Sequence, residues 1–212
     1  MAMRQEELAE LAAQELRAAP RFTLMLRAAK LVTPVGEFLC VLRDASATGF
    51  KAKLFHPLPD VDGYELELGS GERFAVEPVW QADGHAGFRF SDGSIDVHAL
   101  IEEAGEFPKR HIRLALTLPV AIEAAGESRA AELRNLSQNG AAIEIEPGLA
   151  LGQLVRFKAD GLPPLDGRVR WRRGKAHGLV FQQGFRLDQL AELAARLQLA
   201  GAGPAPVMAV AR

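Results

Sequence analysis

Asp44-Ala-Ser46-Ala-Thr-Gly49 and Asn135-Leu-Ser137-Gln-Asn-Gly140 are the two stretches on which the fold of this 212-residue chain turns. They carry Asp or Asn, then Ser, then Gly at one spacing, and lie 91 positions apart (137 − 46). Outward from them, Trp80 falls on Trp171 and Phe90 on Phe181 at the same offset, while His85-Ala-Gly87 and His177-Gly178 lie within one residue of it. Upstream, Arg17 maps to Lys109 and Arg21 to Arg113 at an offset of 92. The chain holds two Trp in all, one per copy at one shared position, and this marks an internal duplication.

Inside each copy the apolar period is two, as in strands with one buried face. Ile112, Leu114, Leu116, Leu118, Val120 and Ile122 alternate without a break, and Ala141, Ile143 and Ile145 follow the Asn139-Gly140 turn signal. Val169 and Trp171 then lead through Arg173-Gly174 to Leu179 and Phe181. The first copy repeats the design with Phe22, Leu24, Leu26; Phe38, Cys40, Leu42; Phe50, Ala52, Leu54; and Phe74, Val76, Pro78, Trp80. Short strands and Gly-containing turns in so few residues point to a small antiparallel barrel. Both Trp lie on the apolar phase of their strands and are expected in the core.

Helices are expected at the margins: residues 4–16, a short one from Ser94 or Asp96 to about Glu103, and one from Leu187 to Leu199 with Leu190, Leu193 and Leu197 on one face. The expected division is an N-terminal helix at 1–16, a first barrel with closing helix at 17–104, a second barrel with C-terminal helix at 105–200, and a tail at 201–212. Ala104-Gly-Glu-Phe-Pro108 is the candidate linker.

Composition narrows the function. With 48% hydrophobic and 25% charged residues the chain is ordinary for a globular protein, and a net charge of −2 gives no global pull toward polyanions. Charge is uneven: Lys and Arg against Asp and Glu number 9 and 13 over 17–104, but 12 and 8 over 105–185, so an anion finds more help in the second copy. One cysteine, Cys40, permits no intrachain disulfide and is expected as a buried thiol. No signal-peptide core or membrane span is read, so a cytoplasmic location is expected.

These residues resemble the PilZ domain family. Arg17-Ala-Ala-Pro-Arg21 before Asp44-x-Ser46-x-x-Gly49 is similar to its RxxxR and D/NxSxxG signature. Lys109-Arg110-His111-Ile112-Arg113 before Asn135-x-Ser137-x-x-Gly140 resembles it again. The resemblance runs from about Arg17 to Phe181. It implies an all-β fold of two tandem six-stranded antiparallel barrels with flanking helices, and a non-catalytic receptor for cyclic di-GMP in bacterial second-messenger signalling. The ligand-binding residues it implies are Arg17, Arg21, Asp44, Ser46 and Gly49 in the first copy. In the second they are Lys109, Arg110, Arg113, Asn135, Ser137 and Gly140. No cofactor or metal is expected. The partner expected is a bacterial effector protein of motility, polysaccharide or regulatory machinery.

The chemistry agrees. Guanidinium groups bond phosphate oxygens or guanine O6 and N7 in pairs and stack on flat bases. Asp44 or Asn135 can accept from guanine N–H groups, Ser46 or Ser137 can add a hydroxyl, and Gly49 or Gly140 admits a turn or a close approach. Arg17 can equally end the N-terminal helix, where it would favour the dipole. Lys109 gives a point charge without a fork, so Arg110 is the candidate substitute. The first copy is the more complete motif and the second has the more favourable charge.

Other features read as structure. His56, His85, His98, His111 and His177 show no metal-ligand spacing, and His85 and His177 are expected at matching hairpin positions. Leu68-Gly-Ser-Gly71 reads as a hairpin turn. Arg170, Arg172, Arg173 and Lys175 around Trp171 read as a solvated hairpin rather than a nucleic-acid platform. The competing function is a protein-interaction scaffold that has lost the nucleotide.

Overall fold

Strands that cover one face only must lay that face against others, and a closed barrel does so without leaving a free edge. The computed structural model describes residues 22–96 and 112–201, and in it the chain closes two such barrels. In the first, β1 (Phe22–Thr33), β2 (Gly36–Ser46), β3 (Gly49–Leu54), β4 (Tyr64–Glu67), β5 (Arg73–Ala82) and β6 (His85–Phe90) close in the order β1-β2-β3-β6-β5-β4. In the second, β7 (Arg113–Ala124), β8 (Glu127–Ser137), β9 (Gly140–Glu144), β10 (Leu154–Lys158), β11 (Leu165–Arg173) and β12 (Ala176–Phe181) close in the same order, β7-β8-β9-β12-β11-β10. Neighbouring strands run antiparallel in both barrels. One helix, α1 (Leu187–Gly201), follows β12.

The all-β class, the two six-stranded barrels and the C-terminal helix are therefore as the sequence reads, with Gly201 ending the helix instead of opening a tail. The expected helices over 4–16 and most of 94–103, the linker 104–108 and the tail beyond Gly201 lie outside the described residues.

Each barrel fills its own interior. Phe38, Leu42, Phe50, Leu66, Phe88 and Phe90 pack the first, with Phe50 stacked on Phe88 at 4.9 Å between ring centroids. The second is more aliphatic, built on Leu114, Ile122, Leu133, Ile143 and Val169 around Phe157, whose ring lies 5.9 Å from that of Phe181. Helix α1 buries Leu190, Leu193, Ala194 and Ala195 and has Asp188 in its first turn, where a carboxylate suits the dipole. Cys40 is fully buried and burial pushes its thiol up to about 12, the inert state expected of it.

The duplication reaches irregular detail. In the first barrel register shifts fall between Leu42 and Asp44 and between Pro78 and Trp80. In the second they fall between Leu133 and Asn135 and between Val169 and Trp171, with a further one on β7 between Ala115 and Leu118. The two β-bulges of the first barrel thus recur 91 residues on (133 − 42; 169 − 78).

The bulges correct one expectation. Strict alternation puts Trp80 and Trp171 inside, but the extra residue in each bulge reverses the phase of the strand beyond it. Trp80 is 44% and Trp171 41% exposed, so both indoles stand on the outer wall instead of in the core.

Candidate functional site

The same phase reversal turns the motif carboxamide and carboxylate outward. Cys40 and Leu42 face the core on β2, and unbroken alternation would send Asp44 after them. The bulge at Arg43 gives the inward position to Ala45, 2% exposed, and leaves Asp44 half-buried on the outer side. Asn135 is released in the same way, with Leu136 fully buried beside it.

The Ser and Gly of the motif build the turn that holds this side chain. Ser46 pairs with Gly49 across the loop Ala47-Thr48, and Ser137 with Gly140 across Gln138-Asn139. Ser46 Oγ donates to the Gly49 carbonyl at 3.2 Å and Ser137 Oγ to that of Gly140 at 3.0 Å, with both serines buried. Each hydroxyl proton is thus committed to the turn, and with Ser46 so oriented its oxygen accepts from Thr48 Oγ1 at 3.3 Å. Gly140 opens β9 and is not itself a turn residue. What it requires is close approach: a Cβ there would lie 2.2 Å from the Leu179 carbonyl oxygen, and one on Gly49 would lie 2.2 Å from that of Phe88.

A second glycine in each barrel seats the indole. A Cβ on Gly87 would meet Trp80 Nε1 at 2.1 Å, and one on Gly178 would meet Trp171 Nε1 at 2.0 Å. The ring lies across the glycine of the neighbouring strand, one face covered and the other outward. In the first barrel Asp44, Ser46, Gly49, Trp80, Lys51 and Arg89 line one groove of about 250 Å³. Trp80, Lys51, Thr48 and Arg89 were not singled out by sequence as site residues. A Trp-to-Gly cross-strand pair at a bulge was the available signal, present twice at one offset.

In the second barrel the two halves of the motif meet. Arg113 begins β7, is register-paired with Ser137, and donates from Nη1 to Asn135 Oδ1 at 3.0 Å. That contact presents the amide oxygen toward the guanidinium and fixes the orientation of Asn135. Arg113 is exposed. Arg17, Arg21, Lys109 and Arg110 lie outside the described residues, as do His98 and His111. Of the expected site residues, the structure places Asp44, Ser46 and Gly49 together, and Arg113, Asn135, Ser137 and Gly140 together.

Local charge differs between the copies. Arg89 in the first groove is paired with Glu77 at 2.6 Å, while Lys51 has no ion-pair partner among the described residues. At the same offset the second barrel has Val180 for Arg89, Ala142 for Lys51, and Arg170 for Val79.

The histidines do structural work, but not at matching positions. The indole-seating glycines, Gly87 and Gly178, put His177 level with Ala86, one residue past His85. His177 is fully buried, with Nδ1 donating to the Lys175 carbonyl at 2.9 Å and Nε2 accepting from Leu149 N–H at 3.0 Å. His85 only ties its own turn, through Asp83 O at 2.9 Å. Desolvation lowers the pKa of His56, partly offset by its bond to the Pro57 carbonyl. Among the described residues no group of three His, Cys, Asp or Glu could hold a metal, and no helix is long and apolar enough to cross a membrane. Leu68–Gly71 is the β4–β5 hairpin turn, closed by Gly71 N–H to Leu68 O at 2.9 Å. Arg170, Arg172, Arg173 and Lys175 are exposed as expected, although the closed barrel gives them no sheet edge.

Comparison with known proteins finds a family match over the second barrel. Residues 108–199 match the PilZ domain. Among solved structures the chain is similar to the Borreliella burgdorferi PlzA protein in complex with c-di-GMP, at 10% identity over 91% of this chain and 98% of that one, TM-score 0.36. It is similar to MrkH of K. pneumonia at 12% identity over 93% of each chain, TM-score 0.32. It is also similar to the PilZ domain of CeSA from a cellulose-synthesizing bacterium, at 20% identity over 43% of this chain and 98% of that one, TM-score 0.31. No curated protein matches the chain. The second barrel, with its motif half-sites in contact, is the part of the chain that matches the PilZ domain family.

Proposed function

We propose that this chain is a non-catalytic receptor for cyclic di-GMP, with a nucleotide groove on each barrel, that passes the signal to a partner protein. The observation that carries the reading is the Arg113–Asn135 hydrogen bond inside the segment matched by the family. It sets a guanidinium, which can grip phosphate or the guanine Hoogsteen edge, beside an amide oxygen able to accept from guanine N–H. Trp171 and Trp80, each open on one face, supply a flat surface for a base, and such stacking is worth about 1–3 kcal/mol per base. Asp44 takes the place of Asn135 in the first groove, with Arg17 and Arg21 as its cationic segment. Lys109, Arg110 and Arg113 follow directly on the linker in sequence, so ligand capture there would reset the disposition of the barrels and alter the surface offered to the partner.

Titration calorimetry on the full chain tests this. Wild type is expected to bind cyclic di-GMP, Arg113→Ala to lose the second-barrel site, and Arg21→Ala the first. Quenching of indole emission in Trp80→Phe and Trp171→Phe proteins assigns each event to its groove. Wild type without heat of binding up to high micromolar nucleotide would overturn the reading. A ligand-dependent change in small-angle scattering, lost in Arg113→Ala, tests the rearrangement.

A further inference from the structure

The duplication gives the second barrel a built-in control, and one row of its outer wall departs from it. Leu154 of β10 is register-paired with Arg168 of β11, which is paired in turn with Val180 of β12. All three are exposed, Leu154 by 58% and Val180 by 41%. Leu151, 63% exposed, lies in the turn whose Gly152 N–H bonds to the carbonyl of Val169 at 2.9 Å, next to Arg168. The equivalent positions in the first barrel, 91 residues earlier, are Gly63, Glu77 and Arg89. There Glu77 and Arg89 are register partners joined at 2.6 Å, and Gly63 adds no side chain. One copy closes this site with its own ion pair. The other opens it, with a cation between two solvated aliphatic side chains.

Nothing in the second barrel neutralises that cation. Arg168 has no ion-pair partner among the described residues, and Asp166, on the same strand, is held by Arg156 at 2.8 Å. Adjacent exposed aliphatics around an uncompensated Arg are the composition of a binding surface, whereas scattered single ones need no explanation.

We infer that the Leu154–Arg168–Val180 row, with Leu151, is a docking surface for a partner polypeptide that presents a carboxylate between aliphatic side chains. Charge complementarity selects the acid, and the flanking Leu and Val select apolar neighbours for it. A nucleic-acid backbone would satisfy the arginine but leave the aliphatic side chains in water. A second copy docking the same face about a twofold axis would set Arg168 against Arg168.

The test pans random 12-residue peptides displayed on phage against the full chain without nucleotide, so that it is independent of cyclic di-GMP binding. Enriched peptides are then synthesised. They are expected to share an Asp or Glu flanked by aliphatic residues. Binding should fall at least about tenfold on Arg168→Glu, on Leu154→Asp, and on exchange of the peptide acid for its amide. Glu77→Arg in the first barrel should leave it unchanged. The altered positions are exposed, so the variants should keep the wild-type unfolding midpoint. Absence of enrichment, enrichment of peptides without an acid, or indifference to Arg168→Glu would overturn the proposal. So would wild-type self-association by sedimentation that Arg168→Glu abolishes.

Discussion

Gly178 shows how much one missing methyl can position. The Trp171 indole sits where a Cβ would be, 2.0 Å from Nε1, so Gly178→Ala must push the ring off the strand. The ring is at the surface and can swing outward, so the expected cost is about 1–3 kcal/mol of overpacking and not loss of the fold. Indole emission should shift toward that of fully solvated Trp, and urea unfolding reads the stability. An unmoved spectrum would show that the ring does not rest on this glycine. Ala125 presents the opposite case. It turns the β7–β8 hairpin at φ 52, ahead of Gly126 at φ 84, a conformation in which Ala is strained and Asn is not. The first barrel's β5–β6 hairpin uses Asp83 at φ 50 before Gly84 for the same geometry. Ala125→Asn should therefore raise stability by about 0.5–1 kcal/mol, seen as a higher urea midpoint at unchanged slope.

At the scale of the element, the bulge explains both what was legible and what was not. Alternation over Ile112–Ile122 announces a strand because an apolar residue at every second position is written directly in residue type, and Phe38–Leu42, apolar and buried throughout, reads as a strand covered on both faces. A bulge has no such mark: it is one extra residue, here Arg43 or Arg134, with nothing in its chemistry to separate it from a strand residue. The alternation rule therefore carried Trp80 and Trp171 into the core, and by the same rule Asp44 would have followed Leu42 inward. Motif spacing survived where periodicity failed, since Ser and Gly keep their turn roles whichever way the strand faces. The experiment is deletion of Arg134. Without the extra residue, Leu133, Asn135 and Leu136 follow one another in plain alternation, so Leu136 stays inside and Asn135 outside, and what is removed is the local kink that aims Asn135 at Arg113. The expected loss is about 1–2 kcal/mol in urea unfolding, because the buried face of β8 is kept, while the site loses the aim of Asn135. A deletion variant that cannot fold would mean that Arg134 is not the extra residue of β8.

Across the whole molecule the repeat is legible because two copies sample one fold, so coincidence at a fixed offset stands out from background. What differs between the copies is harder to read in advance, and it bears on how duplicated barrels avoid exchanging strands. Each barrel closes where its first strand meets the fourth, β1 with β4 and β7 with β10. At the first seam Lys30 of β1 pairs with Glu67 of β4 at 2.9 Å; at the second Glu123 of β7 pairs with Lys158 of β10. The polarity is reversed. Exchange of closing strands would bring Lys30 toward Lys158 and Glu123 toward Glu67, like charges that native pairing never opposes. Reversing the second pair, Glu123→Lys with Lys158→Glu, gives both seams one polarity, with the new Lys opposite Arg156, whose guanidinium is held by Asp166. Because the second pair is partly exposed, the native barrel should change by no more than about 0.5 kcal/mol in urea. Refolding from denaturant should meanwhile yield more strand-exchanged dimer, scored by size-exclusion chromatography, than wild type at equal concentration. Equal yields would show that the paired charges secure each seam without discriminating between the copies, and would leave the core difference, Phe-rich in the first barrel and aliphatic in the second, as what keeps the strands apart.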